Sequence, residues 1–455
     1  MKSKILVVFL LCLLVVSGFV ACGATIRKDY VTPESFGAKG DGKNDDSYAI
    51  SKCLSTGKKI RFSSGKNYLL KTPLQGSKSE QLCIEGNGAK LTISEQYKVS
   101  ENGAIFYYGM PRKKILEVKN LDIVCLLGQK FPDKETRGDT YIFAVESCDE
   151  VRFDNVKFKS EKHYNNVTFL RDNGSKRLEM NDCNIVLNTL SVQGGVLWFM
   201  NRRDSICSIS LKNSYFEYDT KDECVCFSVY KDYKKERCNI NVEVENCEFF
   251  SKGESVSSGF ILVYSNSKVA YSDINVKYKK CMFKTVGDHL RRIQAYQICP
   301  GDTDYDYGRF HTIYDYCKFD FKFVSLKESG LIGALYSKGT SMPTESISYV
   351  FNHCDFDVKN VSPLVDGKPI RRGKYEFIDC RIKSDASLFL RRNIYNSDIQ
   401  VYLTNCDLIS NDIELSKELF VAKDCRFKNK VKTPVPFQNP KSKMENCKIN
   451  GVLYK

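Results

Sequence analysis

The sequence predicts an all-β protein, a parallel β-helix in which a single chain winds through about a dozen stacked coils. A short motif recurs along most of the chain: usually Asn or Asp, then Cys, then any residue, then Phe, Ile or Leu. Apolar and polar residues alternate around each copy, which is typical of a strand with one buried face. The copies lie 19–37 residues apart, and most of these intervals are too short for a four-stranded propeller blade.

The Cys slot of the motif sets the repeat. Clear copies are VENCEFF (244–250), YDYCKFD (314–320) and FIDCRIK (377–383). The slot falls at positions 121, 156, 183, 214, 247, 281, 317, 354, 380, 406, 425 and 447. Most intervals also contain another apolar run, such as FILVY (260–264). Two or three short strands in each interval, with no helical segment between them, favour the coils of a parallel β-helix. The leucine pattern of leucine-rich repeats is missing.

Nine of the slots carry cysteine, and these residues are expected to stack inside the solenoid as small hydrophobic side chains. Neighbouring Cα atoms would lie within disulfide range, but parallel Cβ directions disfavour the bond, so we expect reduced thiols. Their spacing lacks the C-x-x-C or Cys-His patterns of metal sites. The residue before the slot is expected to form a turn. The turn residues assigned in this way are Asn181, Asn213, Asn246, Asp379, Asn405, Asp424 and Asn446.

The first 22 residues have the pattern of an export signal. Lys2 and Lys4 precede an apolar run over 5–16, and small residues lead to Cys22. The sequence FVAC (19–22) resembles a bacterial lipobox. This predicts a cell-envelope lipoprotein, at the outer membrane or cell surface, anchored through a lipid on Cys22. Cleavage near Ala21 and secretion is the alternative. No later stretch reaches the roughly 20 apolar residues of a membrane span.

The net charge of +14 favours a polyanionic partner. An exported protein seldom meets nucleic acid, so we expect no nucleic-acid partner and favour an acidic, uronate-containing polysaccharide. A basic surface that serves only solubility is the alternative.

The segment FGAKGDGKNDDSYAI (36–50), followed by GKKIRFSSGKNYLL (57–70) and LCIEGNGAKL (82–91), resembles the N-terminal part of the pectate-lyase-like superfamily, which includes polygalacturonases. The resemblance implies a single-stranded right-handed parallel β-helix with an N-terminal capping helix. Residues 33–93 would form the cap and first coils, and residues 94–455 the remaining coils. It does not specify a reaction, because lyases, hydrolases, epimerases and tailspike-type proteins share these features.

The residues of this segment favour a cap by their own chemistry. Asp45 or Asp46 can begin a helix, and the helix would then place Ala49, Ile50, Cys53 and Leu54 on one face. A helix over the first coil protects an open sheet edge from aggregation. Calcium binding by Asp41, Asp45 and Asp46 is a weaker alternative.

Polar segments that follow the additional apolar runs are the candidate site. If these segments stack, their charged side chains form a strip that suits a polyanionic sugar, since arginine binds carboxylates bidentately. The substrate-binding candidates are Arg171, Arg203, Lys231 and Asp232. The catalytic candidates are Asp172, Asp204, Arg202, His289 and His311.

Two mechanisms would use this strip differently. A lyase needs a base and a cation that neutralises the uronate, whereas a hydrolase needs two carboxylates, such as Asp172 and Asp204 on neighbouring coils. The RIK sequence at 381–383 matches a polygalacturonase segment but lies inside the repeat, with Arg381 outward and Ile382 inward. The leading interpretation is a polysaccharide lyase or glycoside hydrolase. The alternatives are a non-catalytic glycan-binding protein or adhesin and, third, a tailspike-like depolymerase.

Overall fold

The computed structural model describes residues 30–454, apart from internal gaps. The gaps are 75, 77–78, 100–102, 110–112, 129–138, 147, 165, 190–194, 202–206, 221–226, 232–238, 254–260, 266–272, 288–293, 299–308, 324–334, 337–346, 360–371, 386–397, 412–418 and 430–439. None of the helices in the described part of the chain has the length and hydrophobicity that a membrane span requires.

Strands dominate the described chain. The first elements are β1 (Tyr30–Val31), a 3-10 helix (Pro33–Phe36), β2 (Asp41–Asp45), α1 (Ser47–Ser55), β3 (Lys59–Arg61), β4 (Asn67–Leu70), β5 (Gln81–Ile93), β6 (Ala104–Tyr108), β7 (Lys113–Cys125), β8 (Asp139–Glu146), β9 (Cys148–Asp154), β10 (Lys157–Ser160), β11 (Asn166–Asn173), β12 (Arg177–Asn181), β13 (Asn184–Thr189), β14 (Gly195–Asn201), β15 (Cys207–Lys212), β16 (Tyr215–Thr220) and β17 (Phe227–Lys231). The remaining elements are β18 (Ile240–Glu245), β19 (Glu248–Gly253), β20 (Ile261–Ser265), β21 (Asp273–Lys279), β22 (Met282–Gly287), β23 (Gln294–Ile298), β24 (Arg309–Asp315), β25 (Lys318–Phe323), β26 (Leu335–Tyr336), β27 (Ile347–Asn352), β28 (Asp355–Lys359), β29 (Arg372–Ile378), β30 (Arg381–Ser384), β31 (Asp398–Thr404), β32 (Asp407–Ser410), β33 (Leu419–Lys423), β34 (Arg426–Asn429), β35 (Lys443–Glu445), β36 (Cys447–Ile449) and β37 (Val452–Tyr454).

Strands of successive coils pair in parallel, and only the last strand, β37, pairs antiparallel, with β36, among the described residues. β12 pairs with β9 and β15, β13 pairs with β10 and β16, and β11 pairs with β8 and β14. We call these three series the pre-turn column (β12 and its equivalents), the post-turn column (β13 and its equivalents) and the third column (β11 and its equivalents). This pairing confirms the predicted all-β parallel β-helix.

A single residue in the left-handed conformation separates the pre-turn strand from the post-turn strand. It lies immediately before the Cys slot at every one of the twelve predicted slot positions, with φ between 49° and 55°. Asn and Asp tolerate this conformation better than other non-glycine residues. The prediction for Asn181 is wrong by one position, because Asn181 ends β12 and Asp182 has the positive φ. The other six predicted turn residues are confirmed.

The cysteines of the slot are buried and form no disulfides, as predicted. Each of the nine also donates its thiol hydrogen to the carbonyl oxygen two residues earlier, for example Cys247 to Glu245 at 3.4 Å and Cys406 to Thr404 at 3.2 Å. Ser214 fills the slot of its coil in the same way, with its hydroxyl 2.6 Å from the carbonyl of Lys212. Ten of the twelve slots therefore hold a small side chain that donates a hydrogen bond, whereas Leu121 and Val156 fill the other two as buried apolar side chains.

Aromatic rings stack from coil to coil beside the thiols. Phe216, Phe249, Phe283, Phe319 and Phe356 follow one another in register on the post-turn column, with centroids 5.3, 5.2, 5.0 and 4.4 Å apart. These rings are buried at 0–2% exposure. Burial of apolar surface is the dominant favourable contribution to folding. In a solenoid each coil buries its rings against its two neighbouring coils only.

Helix α1 closes the N-terminal end of this core. Ala49, Ile50, Cys53 and Leu54 are buried on one face, as predicted, and Ile50 and Leu54 line a small apolar cavity with residues of the first coils. Asp46 stands at the N-cap but does not cap with its side chain; the carboxylate of Asp45 accepts the Ser47 N–H at 3.0 Å instead. The capping-helix prediction is confirmed.

Truncating one ring of the stack should be costly. We expect Phe249→Ala to lower the free energy of unfolding by about 3–5 kcal/mol, because it opens a cavity between two stacked neighbours. Phe250→Ala is the matched control, since Phe250 lies on the outer face beside Lys252 and Lys284 at 4.6 and 4.9 Å. Urea denaturation of both variants measures the difference, and equal losses would contradict the assigned register.

Burial should also protect the thiols. It raises the pKa of Cys183 and Cys247 to about 12, against about 8.5 in an unfolded chain. Little reactive thiolate therefore exists at neutral pH, and we expect iodoacetamide to label these cysteines in urea but not in the native protein. The folded chain retains protons that the unfolded chain releases, so their contribution to stability persists below about pH 8.5 and declines towards pH 12. Rapid native labelling at pH 7 would contradict this.

Candidate functional site

The predicted charged strip begins at the end of β11, where the structure describes Arg171 and Asp172. Lys231 ends β17, where its backbone pairs with Asn201 and Ser265 in neighbouring strands. The remaining predicted residues fall outside the described part of the chain; they are Arg202, Arg203, Asp204, Asp232, His289 and the lipidation candidate Cys22. Their predicted roles stay predictions.

Asp172 does not lie on the outer face. It pairs in register with Val145 and Phe199, all three are buried at 0% exposure, and its Oδ1 accepts the Ser175 N–H at 3.1 Å. The carboxylate closes the turn after β11, so its assignment to the exposed catalytic strip is corrected. The alternation of inward and outward residues does not predict which way the Asp172 side chain faces, because the adjacent residues Phe169 and Leu170 are both buried.

Arg171 lies on the outer face and joins two coils. Its guanidinium lies 3.0 Å from Glu146 Oε1 and packs over the ring of Tyr141, 4.8 Å from the ring centroid. The carboxamide oxygen of Asn173, in the orientation that satisfies both groups, accepts from Arg171 Nη2 at 3.0 Å and Nε at 3.2 Å. Tyr107 completes the group by donating its hydroxyl to Glu146 Oε2 at 3.0 Å. We call these five residues the arginine cluster.

The arginine cluster has the chemistry of a binding surface rather than of a base. Burial and then the hydrogen bond to Glu146 raise the pKa of Tyr107, so its phenolate is scarce at neutral pH. A proton-abstracting tyrosine would need a pKa lowered towards neutrality. Glu146 also offsets the charge of Arg171. The half-buried side chains of Tyr107, Glu146 and Arg171 therefore form a hydrogen-bonding surface on three adjacent strands, β6, β8 and β11. Tyr141 and Asn173 are buried beneath them.

His311 does not join the arginine cluster. It lies in β24 of the pre-turn column, four coil steps from β12, which is about 19 Å along the axis at about 4.8 Å per step. Its Nδ1 contacts the hydroxyl of Ser348 in the next coil. The RIK segment also behaves as predicted for a repeat copy, since Arg381 is exposed and Ile382 is buried.

An open groove follows the left-handed turns over four coils, and sequence analysis did not anticipate it. We call it the turn groove. Its volume is about 420 Å³. It is lined by the turn residues Asp182, Asn213, Asn246 and Lys280 and by the post-turn residues Tyr215 and Glu248, among others.

Amide groups form the floor of the turn groove. Asn246 Nδ2 donates to Asn213 Oδ1 at 3.0 Å across neighbouring coils. The post-turn strands add the phenol of Tyr215 and the carboxylate of Glu248, and the turns themselves add the carboxylate of Asp182 and the ammonium of Lys280. The sequence signal was present, because the Asn or Asp before each slot was recognised. These residues are predicted to form turns and to bond one another where they are stacked, but the sequence does not predict that their side chains line a groove along the axis.

The acidic N-terminal segment is engaged by the fold itself. Asp41 Oδ1 accepts the Lys43 and Asn44 N–H groups, each at 2.9 Å, and Asp46 is buried with Oδ1 2.7 Å from the Lys39 N–H. Within the described residues, no group of three or more His, Cys, Asp or Glu side chains is arranged to hold a metal ion. The calcium alternative therefore gains no support from the structure.

Comparison with known proteins gives neither a family model nor a curated protein that matches this sequence. Eleven chains of solved structures match it. One is PfbA, a surface adhesin of Streptococcus pneumoniae, with 12% identity, a TM-score of 0.43 and coverage of 88% of this chain and 90% of that chain. Another is the Yersinia enterocolitica family 28 exopolygalacturonase, with 12% identity, a TM-score of 0.33 and coverage of 94% and 79%.

Similarity at this level says nothing about activity. The strand pairing of the chain itself shows a parallel β-helix, which is the fold that the pectate-lyase-like resemblance of the N-terminal segment implies.

Removing the Asp172 carboxylate should affect stability and not ligand binding. We expect Asp172→Ala to lower the free energy of unfolding by about 1–3 kcal/mol, because the buried Ser175 N–H loses its acceptor. Asp172→Asn keeps an acceptor oxygen and should cost less. Urea denaturation and polysaccharide binding are measured on both variants. If Asp172→Ala lost polysaccharide binding but kept its stability, the buried structural role of Asp172 would be contradicted and its predicted role in the charged strip supported.

Proposed function

We propose that this protein binds an extended acidic polysaccharide outside the cytoplasm, with the polymer lying along the stacked coils. The turn groove is the observation that supports this most directly. It crosses four coils, or about 14 Å at about 4.8 Å per step, and runs parallel to the axis of the solenoid. A linear polymer fits such a groove better than a compact ligand does.

The groups along the turn groove suit a sugar chain. Amides, a phenol and carboxylates can exchange hydrogen bonds with hydroxyl groups, and an ammonium can contact a uronate carboxylate. The net charge of +14 favours approach of a polyanion. The arginine cluster offers a further surface on the third column, with the partly exposed ring of Tyr107 beside Arg171 and Glu146.

Binding is better supported than turnover by the described residues. A hydrolase requires two carboxylates beside the bond that breaks. Asp172 is buried, and Glu146 is held by Arg171 and Tyr107. Lyase or glycoside hydrolase activity, through Arg202, Asp204 and His289, remains the second proposal. Incubation with uronate polymers distinguishes the two enzymes, because a lyase produces unsaturated, ultraviolet-absorbing products and a hydrolase only reducing ends.

The same proposal places the protein in the cell envelope. The export signal over 1–22 and the lipobox-like Cys22 would deliver the β-helix to the outside and tether it to a membrane, or release it if cleavage occurs near Ala21. A tethered binding protein would retain the polymer at the surface, which is consistent with the adhesin alternative.

A single negative charge in the turn groove should weaken binding. Asn213→Asp keeps the oxygen that accepts from Asn246 and suits the left-handed turn. We expect about five-fold weaker binding of polygalacturonate, because a like charge about 4 Å away costs about 1 kcal/mol in water. Affinity electrophoresis at low salt measures the change, and added salt should reduce it.

Asn241→Asp is the matched control. Asn241 lies in β18 of the pre-turn column and does not line the turn groove. Its side-chain oxygen accepts from Asn275 Nδ2 of the next coil at 3.2 Å, just as Asn213 accepts from Asn246. This variant should bind like the wild type. Equal weakening by both substitutions would show that net charge alone governs binding, and failure of the wild type to bind any acidic polymer would reject the proposed function.

A further inference from the structure

Three consecutive coils depart from the residue type that the left-handed turn favours. The turn position is Asn or Asp in the other described coils, at Asn87, Asn120, Asn155, Asp182, Asn213, Asn246, Asp379, Asn405, Asp424 and Asn446. In the three coils between Asn246 and Asp379 it is Lys280, Tyr316 and His353, with φ of 53°, 54° and 52°. A bulky residue is strained in this conformation, and strain of this kind is concentrated at functional sites.

The fold makes little use of the polar groups of Lys280 and Tyr316. All three are exposed, and Tyr316 reaches 54% exposure. Within the described part of the chain, the Lys280 ammonium forms no salt bridge and the Tyr316 hydroxyl forms no hydrogen bond. Their backbone N–H groups donate to the next coil at 2.9 Å, as the N–H of Asn246 does. Asparagine would therefore serve the turn equally well, and the side chains call for another explanation.

The three side chains follow one another along the axis. The rings of Tyr316 and His353 are stacked, with centroids 4.5 Å apart and planes 10° apart. His353 Nε2 lies 3.4 Å from Asp379 Oδ2 in the next coil, and this contact fixes the orientation of the His353 ring against Tyr316. Lys280, one coil before Tyr316, lines the end of the turn groove. A cation, a phenol edge and an imidazole thus continue the line of the groove.

We propose that Lys280, Tyr316 and His353 form a distinct subsite for one anionic sugar unit, a site that extends the turn groove towards the C-terminal coils. This inference rests on the proposed function, since the ligand is part of the same polymer. The ammonium of Lys280 contacts the acid group of the sugar. The exposed edge and hydroxyl of Tyr316 contact the ring and its hydroxyl groups, and His353 holds the Tyr316 ring in place.

Replacing all three residues by asparagine tests the subsite. Because asparagine is the usual residue at this turn, the variant K280N/Y316N/H353N should fold with an unchanged or higher Tm. Its affinity for polygalacturonate, measured by isothermal titration calorimetry, should fall about ten-fold or more, as is typical when a binding hot spot is removed. Lys428→Asn is the charge control. It removes one exposed cation from β34, away from the groove, and should bind like the wild type.

The outcomes separate this subsite from the proposed function. If the wild type binds no acidic polymer, both fail. If the wild type binds and Asn213→Asp weakens binding but the triple variant binds normally, only the subsite is rejected. An equal loss in Lys428→Asn also rejects it. Should the triple variant not fold, Lys280→Gln decides, because it keeps the side-chain length and removes the charge; unchanged affinity there overturns the inference.

Discussion

One constraint organises this molecule: every described coil from Asn120 onward changes direction at a single residue with φ between 49° and 55°. A turn of one residue leaves little room, so the strands on either side keep the same register in successive coils. The residue after the turn faces inward, and in ten of the twelve slots it is a cysteine or a serine. Its thiol or hydroxyl donates to the carbonyl two residues earlier, which also accepts the N–H of the turn residue in the preceding coil, as Glu245 accepts from Asn213 at 3.1 Å.

Constant register is what allows identical side chains to stack. The phenylalanine column and the thiol column both lie on the post-turn side of the turn, and the tyrosine and phenylalanine column of Tyr278, Tyr314, Phe351 and Phe377 lies on the pre-turn side. Each coil therefore contributes an equivalent set of side chains to the core. A defect in one coil is felt mainly by its two neighbours, because contacts in a solenoid are local along the axis.

The same turn also shapes the outer surface. Where two strands meet at the turn, their outward rows border a groove that runs the length of several coils, and the turn side chains stand along its floor. Asparagine serves the backbone conformation and the surface together, since its amide can bond the next coil or a ligand. Lys280, Tyr316 and His353 keep the same left-handed backbone conformation, in which their larger side chains are strained. They replace the amide or carboxylate that the other turns present with an ammonium, a phenol and an imidazole.

The sequence by itself determined the strands, the twelve slots, the buried cysteines and the capping helix, because alternation, turn residues and helical spacing are local properties of the chain. It placed the turn one residue early only at Asn181. It could not decide that Asp172 is buried while Arg171 faces outward, since Phe169 and Leu170 are both inside and alternation fails there. The contacts within the arginine cluster and the turn groove join residues 25 to 39 positions apart in neighbouring coils, and only the stacking of coils decides which of them meet.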